Sequence, residues 1–261
     1  MTTPPALAAR GLDAGHGRRV VVPGLDLELT DGSVTALVGP NGSGKSTLLM
    51  TLARVLPRLA GELRLDGRPY ADHGSREIAR RLGVLPQTAT APAGATVREL
   101  VEQGRYPQRG PWAMLRRTDD DMPVRRALAL TGLTALADRA LGSLSGGERQ
   151  RAWIAMTLAQ ETGILLLDEP TTYLDVRHQI DLMRLVRRLR DEHAMTVVMV
   201  LHDLNQAARY ADRVIALRAG RVLADGTPEQ VLTEDTLATV FDVEARVLTD
   251  PVSGRPLFVA R

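Results

Sequence analysis

Nine consecutive residues, Gly39-Pro40-Asn41-Gly42-Ser43-Gly44-Lys45-Ser46-Thr47, fit the spacing G-x-x-x-x-G-K-[ST]. The chemistry is that of a phosphate cradle. Glycines let the backbone wrap closely around an anion, so that its N–H groups point at phosphate oxygens. The start of the following helix adds partial positive charge. Lys45 can reach outer phosphates, and the Ser46 hydroxyl can ligate Mg²⁺. Lys45 is the only lysine in the chain; apart from five histidines, every other basic side chain is arginine. A compact ammonium suits a phosphate cradle better than a planar fork. Two acids, Asp168 and Glu169, close the apolar run Ile164-Leu165-Leu166-Leu167. Asp168 can hold Mg²⁺ directly or through water, and Glu169 can polarise an attacking water as a general base.

A third stretch is Leu144-Ser145-Gly146-Gly147-Glu148-Arg149-Gln150-Arg151. Ser145 suits an N-cap, and Glu148 stands three residues on, as in a capping box. The stretch is open to two readings. One is simply a helix start. The other is a second phosphate site made of a hydroxyl, bare N–H groups and a helix dipole. Lying far along the chain from the glycine loop, it can complete the loop of another copy rather than its own.

These groups need rigid elements behind them. Val34 to Val38 reads as a buried strand leading into the glycine loop, and Leu48 to Leu56 as a helix stopped by Pro57. Further apolar runs at Ile164–Leu167, Thr196–Val200 and Val214–Leu217 alternate with helical patterns at Val176–His193 and Leu204–Ala211. That alternation implies a parallel sheet covered on both faces. Upstream, Leu7 to Leu29 and Gly61 to Leu65 carry short β patterns. Asp13-Ala14-Gly15-His16-Gly17 reads as a turn, and Asp66-Gly67 as a hairpin turn. Ser75 to Arg81 reads as a short helix and Gly83 to Gln87 as a strand running into a loop. Thr88 to Gly94 reads as a linker. Helical patterns at Val97–Gly104, Asp119–Gly132 and Ser145–Gln160 suggest an all-helical insert. Arg221–Ala224 completes a hairpin, and the tail offers two short helices and a further hairpin.

Composition sets outer limits. A chain of 261 residues with 44% hydrophobic residues can bury one large α/β core with an inserted subdomain. A net charge of +2 gives no case for nucleic acid or an anionic membrane as partner. With no cysteine, disulfides, Fe–S clusters and thiol catalysis are excluded. No signal peptide and no run of bilayer-spanning length are evident, so the expectation is a cytoplasmic chain whose membrane role comes through a partner.

Taken together, GPNGSGKST, LSGGERQR and ILLLDEP resemble the ATP-binding cassette (ABC) proteins over nearly the whole chain. The resemblance implies a P-loop NTPase fold: an α/β core with an N-terminal antiparallel β-subdomain and an inserted α-helical subdomain. The divisions read as 1–87 (first half of the core with the P-loop), 88–160 (helical), 161–225 (second half of the core) and 226–261 (tail). It implies ATP as ligand with Mg²⁺, and a homodimer in which ATP lies between the Gly39–Thr47 loop of one copy and Ser145, Gly146, Gly147 and Glu148 of the other. Gln87 matches the glutamine that contacts Mg²⁺ and water and senses the transmembrane partner. Asp175 matches an aspartate acting across the dimer, and His202 the histidine at the γ-phosphate. The family's adenine-stacking tyrosine is replaced here by Gly15-His16-Gly17. His16 or Arg18 can stack on the base, or His16 can be a plain turn residue.

Within the family, Gln103-Gly104-Arg105-Tyr106-Pro107, Thr171-Thr172-Tyr173-Leu174-Asp175 and His202-Asp203-Leu204-Asn205-Gln206-Ala207 resemble importer subunits for iron(III)-siderophore, haem and cobalamin. So does the tail, with Val240–Glu244 and Asp250–Leu257. Implied partners are a permease and, indirectly, an extracytoplasmic substrate-binding protein, at the cytoplasmic face of the membrane. The rival is a soluble ABC ATPase acting on nucleic acid or ribosomes. The single cassette without a coiled-coil insert counts against it.

Overall fold

The computed structural model describes residues 4–87, 94–108 and 122–260. The linker predicted at Thr88–Gly94 and the start of the helix predicted at Asp119 fall largely outside them. The centre is a six-stranded sheet in the order β10-β9-β3-β8-β7-β6. Its strands are β3 (Val34–Val38), β6 (Leu82–Leu85), β7 (Ile164–Asp168), β8 (Thr196–Val200), β9 (Arg213–Arg218) and β10 (Arg221–Gly226). All neighbours pair in parallel except β9 and β10, which form an antiparallel hairpin.

Every residue of β3, β7 and β8 is buried, as a sheet covered on both faces requires. Alternate side chains feed two different cores. Val197 and Met199 of β8 pack with Leu165, Leu167 and residues of α6 (Val176–His193) and α7 (Leu204–Tyr210). Val198 and Val200 pack on the other face with Leu37, Leu166 and α1 (Lys45–Leu52). That second core also takes in a four-stranded antiparallel sheet of β1 (Leu7–His16), β2 (Arg19–Leu29), β4 (Ala60–Leu65) and β5 (Arg68–Pro69). A separate cluster holds α3 (Val97–Gln103), α4 (Met122–Leu130) and α5 (Gly146–Ala159) together through Leu100, Val101, Leu128, Ala152 and Ala155. α2 (Ser75–Arg81) precedes β6. The tail adds α8 (Pro228–Val231), α9 (Glu234–Phe241) and a hairpin of β11 (Ala245–Thr249) and β12 (Pro256–Ala260).

Two local expectations are corrected. The helix after the glycine loop starts at Lys45 and ends at Leu52, not Leu56. Arg54 turns left-handed, φ +58°, and the N–H groups of Val55 and Leu56 both donate to Met50 O. The chain therefore closes the helix well before Pro57 can. Asp13–His16 is strand rather than turn: β1 carries irregular pairing through Ala14 and Gly15, and the reversal falls at Gly17-Arg18, with Gly17 at φ +59°. Strand continues because Gly15 packs against the partner strand, where a Cβ would lie 2.0 Å from Arg19 O.

Gly220 ties the β9–β10 hairpin to the glycine loop. Its N–H donates to Ser43 O at 3.0 Å. Its φ is +77°, and a Cβ there would lie 1.9 Å from Val21 O. Gly11 is also left-handed, φ +53°, but faces open space. Gly220→Ala is expected to cost about 3 kcal/mol in denaturant unfolding, from backbone strain plus overpacking, and Gly11→Ala about 1 kcal/mol from strain alone. Equal losses at both positions would show that the approach to Val21 carries no cost.

Candidate active site

The glycine loop, Asp168, Glu169, Gln87 and His202 gather at the C-terminal edge of the parallel sheet, where open α/β sheets take ligands. The loop from Gly39 to Gly44 leaves β3 and enters α1 with Gly39, Gly42 and Gly44 at φ +150°, +77° and +100°. Side chains are excluded as well as disfavoured: a Cβ on Gly39 would lie 2.1 Å from Leu217 O, and one on Gly44 2.7 Å from Val22 Cγ2. Ser43 is buried, and its Oγ has no hydrogen-bond partner. The outcome is a backbone cradle closed from below by β2 and β9.

Lys45 is buried, and its ammonium donates to the carbonyls of Gly39 (2.8 Å) and Pro40 (3.0 Å). Burial pushes its pKa below the usual 10.5, while the charges of Glu169 and Asp168 pull it back up. Asp168, at the end of β7, is also buried. Burial raises its carboxyl above the ordinary range, opposed by a 2.8 Å hydrogen bond from the Ser46 hydroxyl.

Glu169 follows at φ +50°, an uncommon conformation for a residue with a side chain. Its carboxylate is held at both oxygens. Oε1 lies 2.6 Å from His202 Nε2, at the end of β8. Oε2 accepts from Gln87 Nε2 at 2.8 Å and from the Thr172 hydroxyl at 3.3 Å. Asp168, Glu169, Gln87 and His202 thus meet the glycine loop at one edge. Thr172 is a partner that sequence reasoning did not single out. Its signal was a hydroxyl three residues beyond an acid in a turn, a pattern common in loops with no such role.

His16 is the last residue of β1, exposed, with Nε2 3.1 Å from Thr47 Oγ1. It therefore sits beside the glycine loop. Arg18 is exposed at the tip of the same hairpin.

The Ser145 stretch stands apart. Ser145 caps α5 in a reciprocal capping box: Glu148 N–H donates to Ser145 Oγ (3.2 Å) and Ser145 N–H to Glu148 Oε2 (2.8 Å). The Ser145 backbone N–H holds the Glu148 carboxyl below its usual range. Among the described residues, no hydrogen bond joins Ser145, Gly146, Gly147 or Glu148 to the 39–47 loop. Ser145 and Gly146 are exposed. Asp175 is exposed too and caps α6, its Oδ1 accepting from His178 N–H at 2.9 Å. That bond comes first in holding its carboxyl below the usual range.

The donor chemistry fits Mg²⁺. Ser46 Oγ and Asp168 Oδ1 are hard oxygens 2.8 Å apart, close to the separation of about 3 Å between neighbouring ligands on an octahedral ion of this size. Among the described residues no group of three or more His, Cys, Asp or Glu is placed to hold a metal. A one-hydroxyl, one-carboxylate site therefore suits an ion that takes its remaining ligands from phosphate and water.

The sequence profile of the ABC transporter family matches residues 22–172. The chain belongs to that family and is an ATP-hydrolysing subunit of the importer kind. It is 48% identical over 253 residues to the ferric enterobactin transport ATP-binding protein FepC of Escherichia coli (strain K12), covering 97% of this chain and 93% of that one. It is 46% identical over 253 residues to the hemin import ATP-binding protein HmuV of Streptomyces coelicolor (strain ATCC BAA-471 / A3(2) / M145), covering 97% and 89%. Among solved structures, it resembles the dimeric bacterial ABC transporter cassette MJ0796 with a TM-score of 0.75 and 26% identity, covering 85% of this chain and 98% of that one. The β-subdomain, P-loop core and helical segment are those of the ABC ATPase fold.

If the charged form of Lys45 binds phosphate, ATP affinity should fall as pH rises through its pKa in the free protein, below 10.5. Binding in that window should take up protons. Titration calorimetry in buffers of different ionisation enthalpy measures the uptake directly, and none at alkaline pH would remove Lys45 as the phosphate partner.

Proposed function

We propose that two copies of this chain, paired head to tail, power the import of an iron(III)-siderophore complex through a membrane permease. The observation that carries the mechanism is the carboxylate of Glu169, gripped by Gln87, Thr172 and His202 beside Lys45 and Asp168. In each half-site the glycine loop cradles the phosphates of ATP and Lys45 reaches the outer ones. Ser46, Asp168 and Gln87 would hold Mg²⁺. When bound, the ion offsets charge between the outer phosphates. Glu169 accepts the proton of the attacking water, and His202 binds the γ-phosphate and steadies Glu169. Ser145, Gly146, Gly147 and Glu148, with no hydrogen bond to the glycine loop of their own chain among the described residues, close on the ATP of the partner, with Asp175 at the same seam.

The iron cargo rests on relatives whose names specify it, among them the ferric enterobactin and iron(3+)-hydroxamate proteins. Hemin import proteins stand at similar identity, so haem is the second reading. A cavity of about 330 Å³ beside Gln87, walled by Leu85, Pro86, Trp153 and Tyr173, offers the permease a seat. Tyr173 is 81% exposed there. Among the described residues no helix is long and apolar enough to cross a membrane. Attachment through the permease places the chain at the cytoplasmic face, and an extracytoplasmic binding protein delivers the cargo to the far side.

Glu169→Gln keeps the shape and removes the base. Turnover should fall about 10²- to 10⁴-fold while ATP-dependent dimerisation persists, measured by phosphate release and light scattering. Near-normal turnover would remove Glu169 from the general-base role. His16→Ala should weaken ATP binding several-fold through loss of base stacking, and an unchanged ATP Kd would discard His16 as the platform. The class of function is tested by co-purification with a permease and by iron-siderophore uptake in cells carrying the Glu169→Gln chain. Normal uptake there would overturn it.

A further inference from the structure

Two glutamines outside the site join the loop that carries Glu169 to the helix that follows His202. On α6, Gln179 donates through Nε2 to the carbonyls of Leu174 (3.1 Å) and Thr171 (3.4 Å). On α7, Gln206 donates through Nε2 to Gln179 Oε1 at 2.9 Å. The direction of this relay is forced. Two carbonyls face Gln179, so its NH₂ group must point at them and its oxygen must point at Gln206. Gln206 then has to present its own NH₂, which leaves Gln206 Oε1 buried with no hydrogen-bond partner.

Both ends of the relay lie next to the reacting groups. Thr171 and Leu174 bracket Thr172, whose hydroxyl bonds Glu169, and Tyr173, which is held at φ +67°. At the other end the first turn of α7 is fixed from two more directions. Asp203 Oδ1 accepts from the N–H groups of Asn205 (2.8 Å) and Gln206 (3.1 Å). The Asn205 side chain exchanges two hydrogen bonds with the Phe258 backbone of β12, at 2.8 and 3.2 Å. His202 immediately precedes this clamped turn.

We propose that Gln179 and Gln206 are positioning residues, a polar amide relay that sets the distance between Glu169 and His202 and makes the Thr171–Asp175 loop and the His202 turn move as one. This rests on the reading of Glu169 and His202 as reacting groups. The relay bonds Thr171 and Leu174 carbonyls and no residue of the glycine loop. Its loss should therefore act on turnover and leave ATP affinity alone.

The test uses the full-length chain, with ATP Kd, kcat, KM and melting temperature measured in parallel, and Glu169→Gln as reference. Gln206→Leu keeps packing and removes the relay, and should lower kcat about tenfold with KM and ATP Kd within twofold. Gln179→Leu combined with Gln206→Leu should be no worse than the single change, because one relay is broken either way. Gln206→Glu is close to isosteric but sets a carboxylate oxygen against Gln179 Oε1. Its kcat relative to the parent chain should recover as pH falls and the buried carboxyl gains a proton to donate. Unchanged kcat, additive losses in the double variant, or a Gln206→Glu ratio flat with pH would each overturn the proposal. If Glu169→Gln itself retains near-normal turnover, the underlying site reading has failed. If only the glutamine variants are silent, the relay alone has failed.

Discussion

One carboxylate is the meeting point of this structure. Glu169 receives Gln87 from the end of β6, Thr172 from its own loop and His202 from the end of β8. An ionised carboxylate accepts several hydrogen bonds at once, which lets segments far apart in sequence converge on it. The parallel sheet makes the convergence possible. β6, β7 and β8 are neighbours in order, so their C-terminal ends emerge side by side at spacings of about 5 Å. The glycine loop leaves β3, the next strand over, and completes the row.

The rigidity of that row comes from burial on both faces. Successive residues of β8 enter separate cores, one with α6 and α7 and one with α1 and the antiparallel sheet. Neither face can slip in register without moving buried side chains into the wrong core. The helical segment is built differently. Its apolar cluster is its own, although α5 also sends Ile154 into the main core. That arrangement gives the Ser145 end of α5 a foundation partly independent of the sheet. It suits the proposed meeting of this surface with a second copy rather than with its own glycine loop.

Much of this was legible in the residues. The helices Ser75–Arg81 and Val176–His193 and the strands Val34–Val38 and Thr196–Val200 fall where periodicity and stop signals put them, because local pattern and tertiary burial agree there. The misses have physical causes. The end of α1 is set by a left-handed Arg54, a conformation that composition does not announce. The turn predicted at Asp13 to Gly17 is mostly strand, because Gly15 is needed for close approach to Arg19 rather than for reversal. At the site, the glycine loop and the acid pair were legible because local chemistry confines them to few residue types. Thr172, Gln179 and Gln206 were not, because their partners are separated in sequence and a lone threonine or glutamine carries no signal until the fold brings it to one.

The solitary lysine has a consequence for covalent control. Lys45 is buried beneath the glycine loop with its ammonium bonded to two carbonyls, and every other cationic side chain is arginine or histidine. The exposed surface thus offers no ε-amino group to acetylation or to isopeptide-forming tags. Its guanidinium groups stay charged at any pH a cell experiences. Chemistry that regulates many proteins by masking lysine amines has no side-chain foothold here outside the nucleotide loop itself.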